Sequence, residues 1–329
     1  SGAACSPLNC GASQFSLAGG SLLGYRTAVA QPVTVVDLRT GEATHVLPAG
    51  LVGGDRLVHQ AARTLVWFDA ATGTRLHSVS LRRAAKLVGV SQDGSRAVVS
   101  RLVPGGTEIT VVSPQARRTL RVAGRQWQFD ALRGDNMFLI KLVTGGYQVR
   151  LLHVASGRLA ARPLKDPHES GTIWGSPYSR LSSADGRFVF TLYLGSNGGA
   201  MIHELDLQTA TARCIDLPGT GDYGSATSWS LTLARGGTRL WAISPGYGRV
   251  VAIDVSTRTV TEAFRIDLPN WNLGGGTSAA LSPGGTRVAL ADGETVAVLD
   301  LGSRKIVQRD RVHALALGYA PDGRLWKLS

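Results

Sequence analysis

His168 and Glu169 stand side by side in KDPHESGTIWGSPYSR (165–180), and Asp222 lies in GTGDYGSATSW (219–229). An imidazole and a carboxylate can share a proton as an acid–base pair, or ligate a divalent metal with a second carboxylate. A lyase or hydrolase using His168 would need that set to converge, and two loop neighbours have no fixed mutual geometry. His203 and Glu204 occupy successive strand positions, so they point to opposite faces and cannot act together directly.

A second set of residues offers different chemistry. Trp174, Tyr178, Arg180, Tyr223 and Trp229 lie in the same two segments, and Asn270, Trp271 and Asn272 lie in PNWNLGGGTS (269–278). Aromatic faces stack on sugar rings while neighbouring polar groups hold the hydroxyls, so this set is the candidate ligand-binding site. The same aromatics would equally serve to pack loops and plug a channel mouth, and both readings stay open.

Other motifs fall away. No Cys-x-x-Cys pair occurs, and no Asp-x-Asp-x-Asp-Gly calcium loop. The paired glycines sit between apolar strands and not between a strand and a helix, so they are not phosphate loops. No cofactor and no dedicated metal site are expected. Arg133-Gly134-Asp135 has the form of a cell-adhesion tripeptide but falls where a hairpin turn is expected.

The elements that must position these residues repeat. VTVVDLRTGEATHVL (33–47) and LVWFDAATGTRLHSV (65–79) each read as an alternating strand, an acidic or polar residue, a turn and a second strand. The pattern recurs at 109–122, 149–164, 202–217, 250–266 and 296–312. Equivalent residues Asp37, Asp69, Ser113, His153, Asp206, Asp254 and Asp300 are 32, 44, 40, 53, 48 and 46 residues apart. A period in the forties is that of a four-stranded propeller blade.

A second hairpin precedes most copies, as in VGVSQDGSRAVVS (88–100), RLSSADGRFVFTLY (180–193) and the terminal LGYAPDGRLWKLS (317–329). Ser or Pro early and Gly late in such a turn suits a type I turn closed by a left-handed residue. The chain is therefore an all-β protein, a β-propeller of seven four-stranded blades, with eight as the alternative. Residues 1–14 are read as an N-terminal extension and 15–329 as one propeller domain. Ring closure stays open, because eight inner hairpins are visible against seven outer ones. The three long segments above are read as outer-to-inner connections after blades four, five and six, side by side on one face.

The DLRTG-like and SxDG turns resemble bacterial propeller repeats of the YVTN type and of TolB-like proteins. RLSSADGRFVFTLYLGSNGGAMIHELDLQTATARCIDLP also resembles a segment of secreted actinobacterial propellers. True WD repeats differ, since no Trp-Asp dipeptide is present, and kelch repeats differ in the register of their aromatics. The resemblance implies a fold and a compartment. Fold alone does not give function. An extracytoplasmic binding or interaction module, with a cell-wall glycan or an envelope protein as partner, is the functional expectation. A propeller enzyme or a structural scaffold are the alternatives.

Charge and cysteines refine the picture. The net charge is +12, and residues 81–165 hold 15 Lys and Arg against the four acids Asp93, Glu108, Asp130 and Asp135. This basic sector of blades three and four protects exposed strand edges or meets a polyanion. Cys5 and Cys10 bracket a short loop and can form a disulfide, which suits an exported protein. Cys214 is read as a small buried hydrophobe. No stretch has the length of a transmembrane helix. The opening SGAACSPLNC looks like a mature form lacking its signal peptide, so a secreted or envelope-associated monomer is expected.

Overall fold

The computed structural model describes residues 14–17, 23–27, 32–37 and 39–328, apart from 125–126, 145, 170–172, 175, 195–198, 219–228, 270, 272–277 and 315. Residues 1–13 of the expected N-terminal extension, with Cys5 and Cys10, lie outside the described residues, and Gln14 opens the first strand.

Seven four-stranded antiparallel sheets follow one another along the chain. Blade one is β1 (Gln14–Leu17), β2 (Leu23–Thr27), β3 (Val33–Asp37) and β4 (Glu42–Leu47). Blade two is β5 (Gly50–Gly53), β6 (Arg56–Ala61), β7 (Thr64–Asp69) and β8 (Arg75–Ser80). Blade three is β9 (Lys86–Val90), β10 (Ala97–Val103), β11 (Gly106–Val112) and β12 (Arg117–Ala123). Blade four is β13 (Trp127–Arg133), β14 (Asn136–Val143), β15 (Gly146–His153) and β16 (Ile173–Trp174). Blade five is β17 (Ser176–Ser182), β18 (Phe188–Leu194), β19 (Ala200–Asp206) and β20 (Thr211–Asp216). Blade six is β21 (Ser230–Leu233), β22 (Arg239–Ser244), β23 (Arg249–Asp254) and β24 (Thr259–Arg265). Blade seven is β25 (Ser278–Leu281), β26 (Arg287–Ala291), β27 (Gly293–Asp300) and β28 (Lys305–Ala314). A final sheet has two strands, β29 (Ala316–Tyr319) and β30 (Leu325–Leu328).

The C-terminal pair therefore stands as its own two-stranded eighth sheet, and among the described residues it shares no ladder with blade one. First strands neighbour one another around the ring. β9 touches β5 and β13, β21 touches β17 and β25, and β29 touches both β25 and β1, which closes the circle.

Local chemistry explains the hairpins. The repeated aspartates lock the outer turns: Asp254 Oδ1 accepts the backbone N–H groups of Ser256 at 2.8 Å and Thr257 at 2.9 Å, and Asp206 Oδ1 does the same for Gln208 and Thr209. A carboxylate that accepts turn amides mimics a backbone turn and stays ionised. These bonds, led by the Ser256 hydroxyl, lower the Asp254 carboxyl to about 2. In the inner turns, Asp93 Oδ1 accepts the Ser95 amide, and Gly94 takes φ +69°. A Cβ at Gly94 would also stand 2.1 Å from the Gly53 carbonyl oxygen of blade two, so the turn needs glycine twice over.

Each seam between neighbouring blades holds one apolar cluster. Val98, Ile109 and Val111 of blade three pack with Leu132, Met137 and Leu139 of blade four. Phe190, Leu192 and Ile202 of blade five pack with Leu231, Leu240 and Val251 of blade six. Further clusters fill the remaining seams from blade one through to the eighth pair. The closing seam uses Trp326, whose ring lies over Gly41 so closely that a Cβ there would clash. Arg324 Nη2 donates to the Arg39 carbonyl across the same junction at 2.5 Å.

Trp326→Ala should cost about 2 kcal/mol of stability, because it removes the half-buried ring that covers Gly41 at the closing junction. Equilibrium urea unfolding would check this. An unchanged midpoint would show that the eighth pair does not carry closure.

Candidate functional site

The structure divides the sequence-predicted site into separate places. The segment 165–180 is not one connection. Leu164 bridges Val149 and Ile173 pairs Tyr147, both on β15, so the outer edge of blade four runs along that strand twice with an excursion between. Only Gly175 separates β16 from β17, so the link to blade five is minimal and not the long loop expected.

The excursion is pinned by Asp166, a residue the sequence reading passed over. Its carboxylate is buried and accepts the backbone N–H of His168 at 2.9 Å and that of Cys214, in the outermost strand of blade five, at 2.9 Å. The Arg213 guanidinium lies 3.5 Å away. Burial pushes the Asp166 carboxyl up, but these donors and Arg213 outweigh it, and the net shift is downward. The Asp-Pro pair was the available signal, since it favours turn initiation. His168 and Glu169 ride exposed on this turn, against the outer strand of blade five. Asp222 lies outside the described residues, so no converged pair with His168 is on view. The thiol of Cys214 is half-buried, and burial followed by the charge of Asp166 pushes it up to about 12. It is a packing group and not a nucleophile.

Arg180 sits in β17 with its guanidinium already engaged. Nη1 lies 2.5 Å from Asp130 Oδ1 in β13, and Nη2 donates to the Asp130 carbonyl at 3.1 Å. The side chains are 19% and 4% exposed, so this is a shielded ion pair between the first strands of blades four and five. Its partners leave Arg180 little to offer a ligand.

Trp229 and Trp271 correct the expectation of open stacking platforms. Trp229 is 2% exposed and belongs to the cluster between blades five and six. Trp271 is 7% exposed and belongs to the cluster between blades six and seven. Neither indole presents a face to solvent in this arrangement, because each fills the seam where an outer strand hands over to the next blade. Trp174 lies in β16 and Tyr178 in β17, and their side chains are outside the described residues. Tyr223, Asn270 and Asn272 also lie outside them.

Behind Arg180 the blade four–five seam is unusually polar. His203 is 3% exposed, its ring meets Tyr193 edge-on at 6.2 Å, and its Nε2 has no partner among the described residues. Burial lowers the His203 imidazole to about 4, so it is neutral at pH 7. Glu204, on the opposite face of β19, is buried against Arg258 of blade six at 2.7 Å. Burial raises its carboxyl despite that guanidinium. The two neighbours thus serve different seams, as their alternation requires. Arg133-Gly134-Asp135 is the turn between β13 and β14. Its arginine donates to the Asp185 carbonyl and its aspartate accepts from the Ala155 amide, so both charged groups are spent on packing.

No protein-family model matches the chain, and no curated protein matches it in sequence. Solved structures do share its shape. A functionally unknown protein from Desulfotomaculum acetoxidans DSM 771 is 14% identical, with a TM-score of 0.52 over 94% of this chain and all of that one. The β-propeller domain of Cps50 (Swd1) from Myceliophteria thermophila is 12% identical, with a TM-score of 0.47 over 94% of this chain and 90% of that one. Kuenenia stuttgartiensis hydrazine synthase is 14% identical, with a TM-score of 0.45 over 82% of this chain and 88% of that one. At these identities the likeness is one of fold alone.

Two outcomes follow from the seam chemistry. Arg180→Ala should destabilise by about 3 kcal/mol, since it leaves Asp130 shielded and unpaired, and Asp130→Leu added to Arg180→Met should recover most of the loss. Chemical unfolding of the three proteins checks this. His203 has the opposite sign from an ion-paired histidine. Its folded value lies below the ordinary 6.5, so the unfolded chain binds the extra proton and stability is lost as pH falls from about 6.5 towards 4. His203→Leu should flatten that part of the stability–pH curve; an unchanged slope would remove His203 as its source.

Proposed function

We propose that this chain is an extracytoplasmic binding module whose ligand contacts lie on the connections from blade five to six and from blade six to seven. The observation that carries the reading is the way their ends are anchored. Trp229 enters β21 from the first connection and Trp271 stands in the second, each held in an apolar seam. Long connections rising from rigid seams are where propeller-like scaffolds can vary contacts without disturbing the core. Beside these anchors in the sequence stand Asp222, Tyr223, Asn270 and Asn272, a tyrosine with amide and acidic groups suited to sugar hydroxyls.

A cell-wall glycan is the partner this chemistry fits best, with an envelope protein as the other candidate. The YVTN-type or TolB-like kinship, the secreted actinobacterial setting and the monomeric state belong to the same proposal. The enzyme reading has no observation in its favour. His168 is exposed on a turn whose nearest buried carboxylate, Asp166, is committed to backbone amides.

Thermal unfolding with peptidoglycan fragments tests the proposal, because a ligand that binds only the folded state raises the melting temperature by mass action. A shift is expected in the parent protein and in His168→Ala, and it should be lost in Tyr223→Ala and in the Asn270→Ala, Asn272→Ala pair. A shift lost in His168→Ala alone would favour the enzyme reading. No shift with any fragment would leave a protein partner or a scaffold role.

A further inference from the structure

The basic sector is not evenly spread over blades three and four once the chain is folded. In a propeller the second-to-third-strand hairpins and the links from one blade to the next emerge on the same face. On that face, the described residues of blades two to four include 61–64, 81–87, 101–108, 121–124, 127, 141–144 and 146–147. The described cations there are Arg63, Arg82, Arg83, Lys86, Arg121 and Lys141, together with Arg101. The excursion at 165–169, at the same end of β15, adds the buried Asp166 and the exposed Glu169, and within the segments above the one carboxylate is Glu108. Arg101 neutralises it through Nε at 2.5 Å. The Arg101 hydrogen bond and then the fields of Arg83 and Arg121 hold the Glu108 carboxyl below its usual range, so those two cations converge on the same spot.

Two leucines stand out within this field. Leu102 in β10 is 68% exposed and Leu142 in β14 is 42% exposed. They occupy equivalent places, each one residue before the last pair of its hairpin: Leu102 pairs Thr107 and Leu142 pairs Tyr147. Pro104 is exposed at the tip of the first hairpin. Large apolar side chains at repeated hairpin ends, on a rim that also carries cations, gain nothing from a hydrated soluble polyanion. They gain transfer free energy from an acyl-chain boundary, while the cations are held by anionic headgroups.

We propose that this rim of blades two to four is a docking surface for an anionic lipid bilayer, with the Leu102 and Leu142 hairpins entering the headgroup region and Arg82, Arg83 and Lys86 meeting lipid phosphates. It occupies a different sector of the ring from the blade five-to-seven connections and does not depend on what those bind.

Co-sedimentation of the protein with sucrose-loaded vesicles tests the proposal. Binding is expected to vesicles of 70% phosphatidylcholine and 30% phosphatidylglycerol and not to pure phosphatidylcholine. Arg82→Gln with Arg83→Gln should weaken partitioning by about tenfold or more. Leu102→Asn with Leu142→Asn should weaken it severalfold at unchanged charge. Arg158→Gln, at a turn on the other face, should leave it unchanged, and all these sites are exposed, so circular dichroism should not move. Absence of binding to the anionic vesicles overturns the proposal. So does binding that ignores the leucine pair, particularly if inorganic polyphosphate competes fully, because that surface would then take a soluble polyanion through charge alone.

Discussion

The packing of one blade's flank against the next is the constraint on which everything else in this protein depends. A four-stranded sheet with two apolar faces has no stable existence alone, and the ring solves this by giving each face a neighbour. Most seam residues come from the middle strands, where alternation leaves one apolar set for each flank. Gly89 shows how close the approach is: a Cβ there would fall 2.1 Å from the Phe129 ring of blade four. A side chain at that point would push the first strands of two blades apart and open the seam beneath.

Around the apolar seams runs a second layer of contacts in which arginine is the usual donor. Arg96 reaches the Gly134 carbonyl, Arg118 that of Ala155, Arg117 that of Ser80 and Arg309 that of Pro269, each carbonyl lying in a neighbouring blade or the link to it. A long cation can lie along a strand edge and still place a planar donor on a carbonyl that the neighbouring ladder leaves free. Much of the positive charge therefore has an internal use. Arg82, Arg83 and Lys86, in the link from blade two to blade three, stand exposed instead, and this separates structural arginines from cations that can face a partner.

The seam between blades four and five is the most mixed in character. Beside its apolar cluster it buries an ion pair, a neutral histidine and two tyrosines, and the next seam adds the Glu204–Arg258 pair. The excursion held by Asp166 lies against the same blade and is tied to it at Cys214. The long spacing between the fourth and fifth repeats is the sequence trace of that excursion.

The hairpins were determined by the sequence alone. Period-two alternation, aspartate before five of the seven outer turns and glycine in the inner turns are interactions within a few residues, so they can be read along the chain. The same logic placed Arg133-Gly134-Asp135 in a turn and set His203 and Glu204 on opposite faces. The tertiary structure alone decided which side chains were free to act. Arg180 looked available until Asp130, 50 residues earlier, was brought to it. Trp229 and Trp271 looked like platforms until adjoining blades closed over them, and residues 165–180 looked like one loop until Leu164 and Ile173 both reached β15. The fate of the eighth hairpin, likewise, depended on Trp326 meeting Gly41 across 285 residues of chain. Local rules carry no information about such encounters, because the partner is chosen by closure of the ring and not by distance along the sequence.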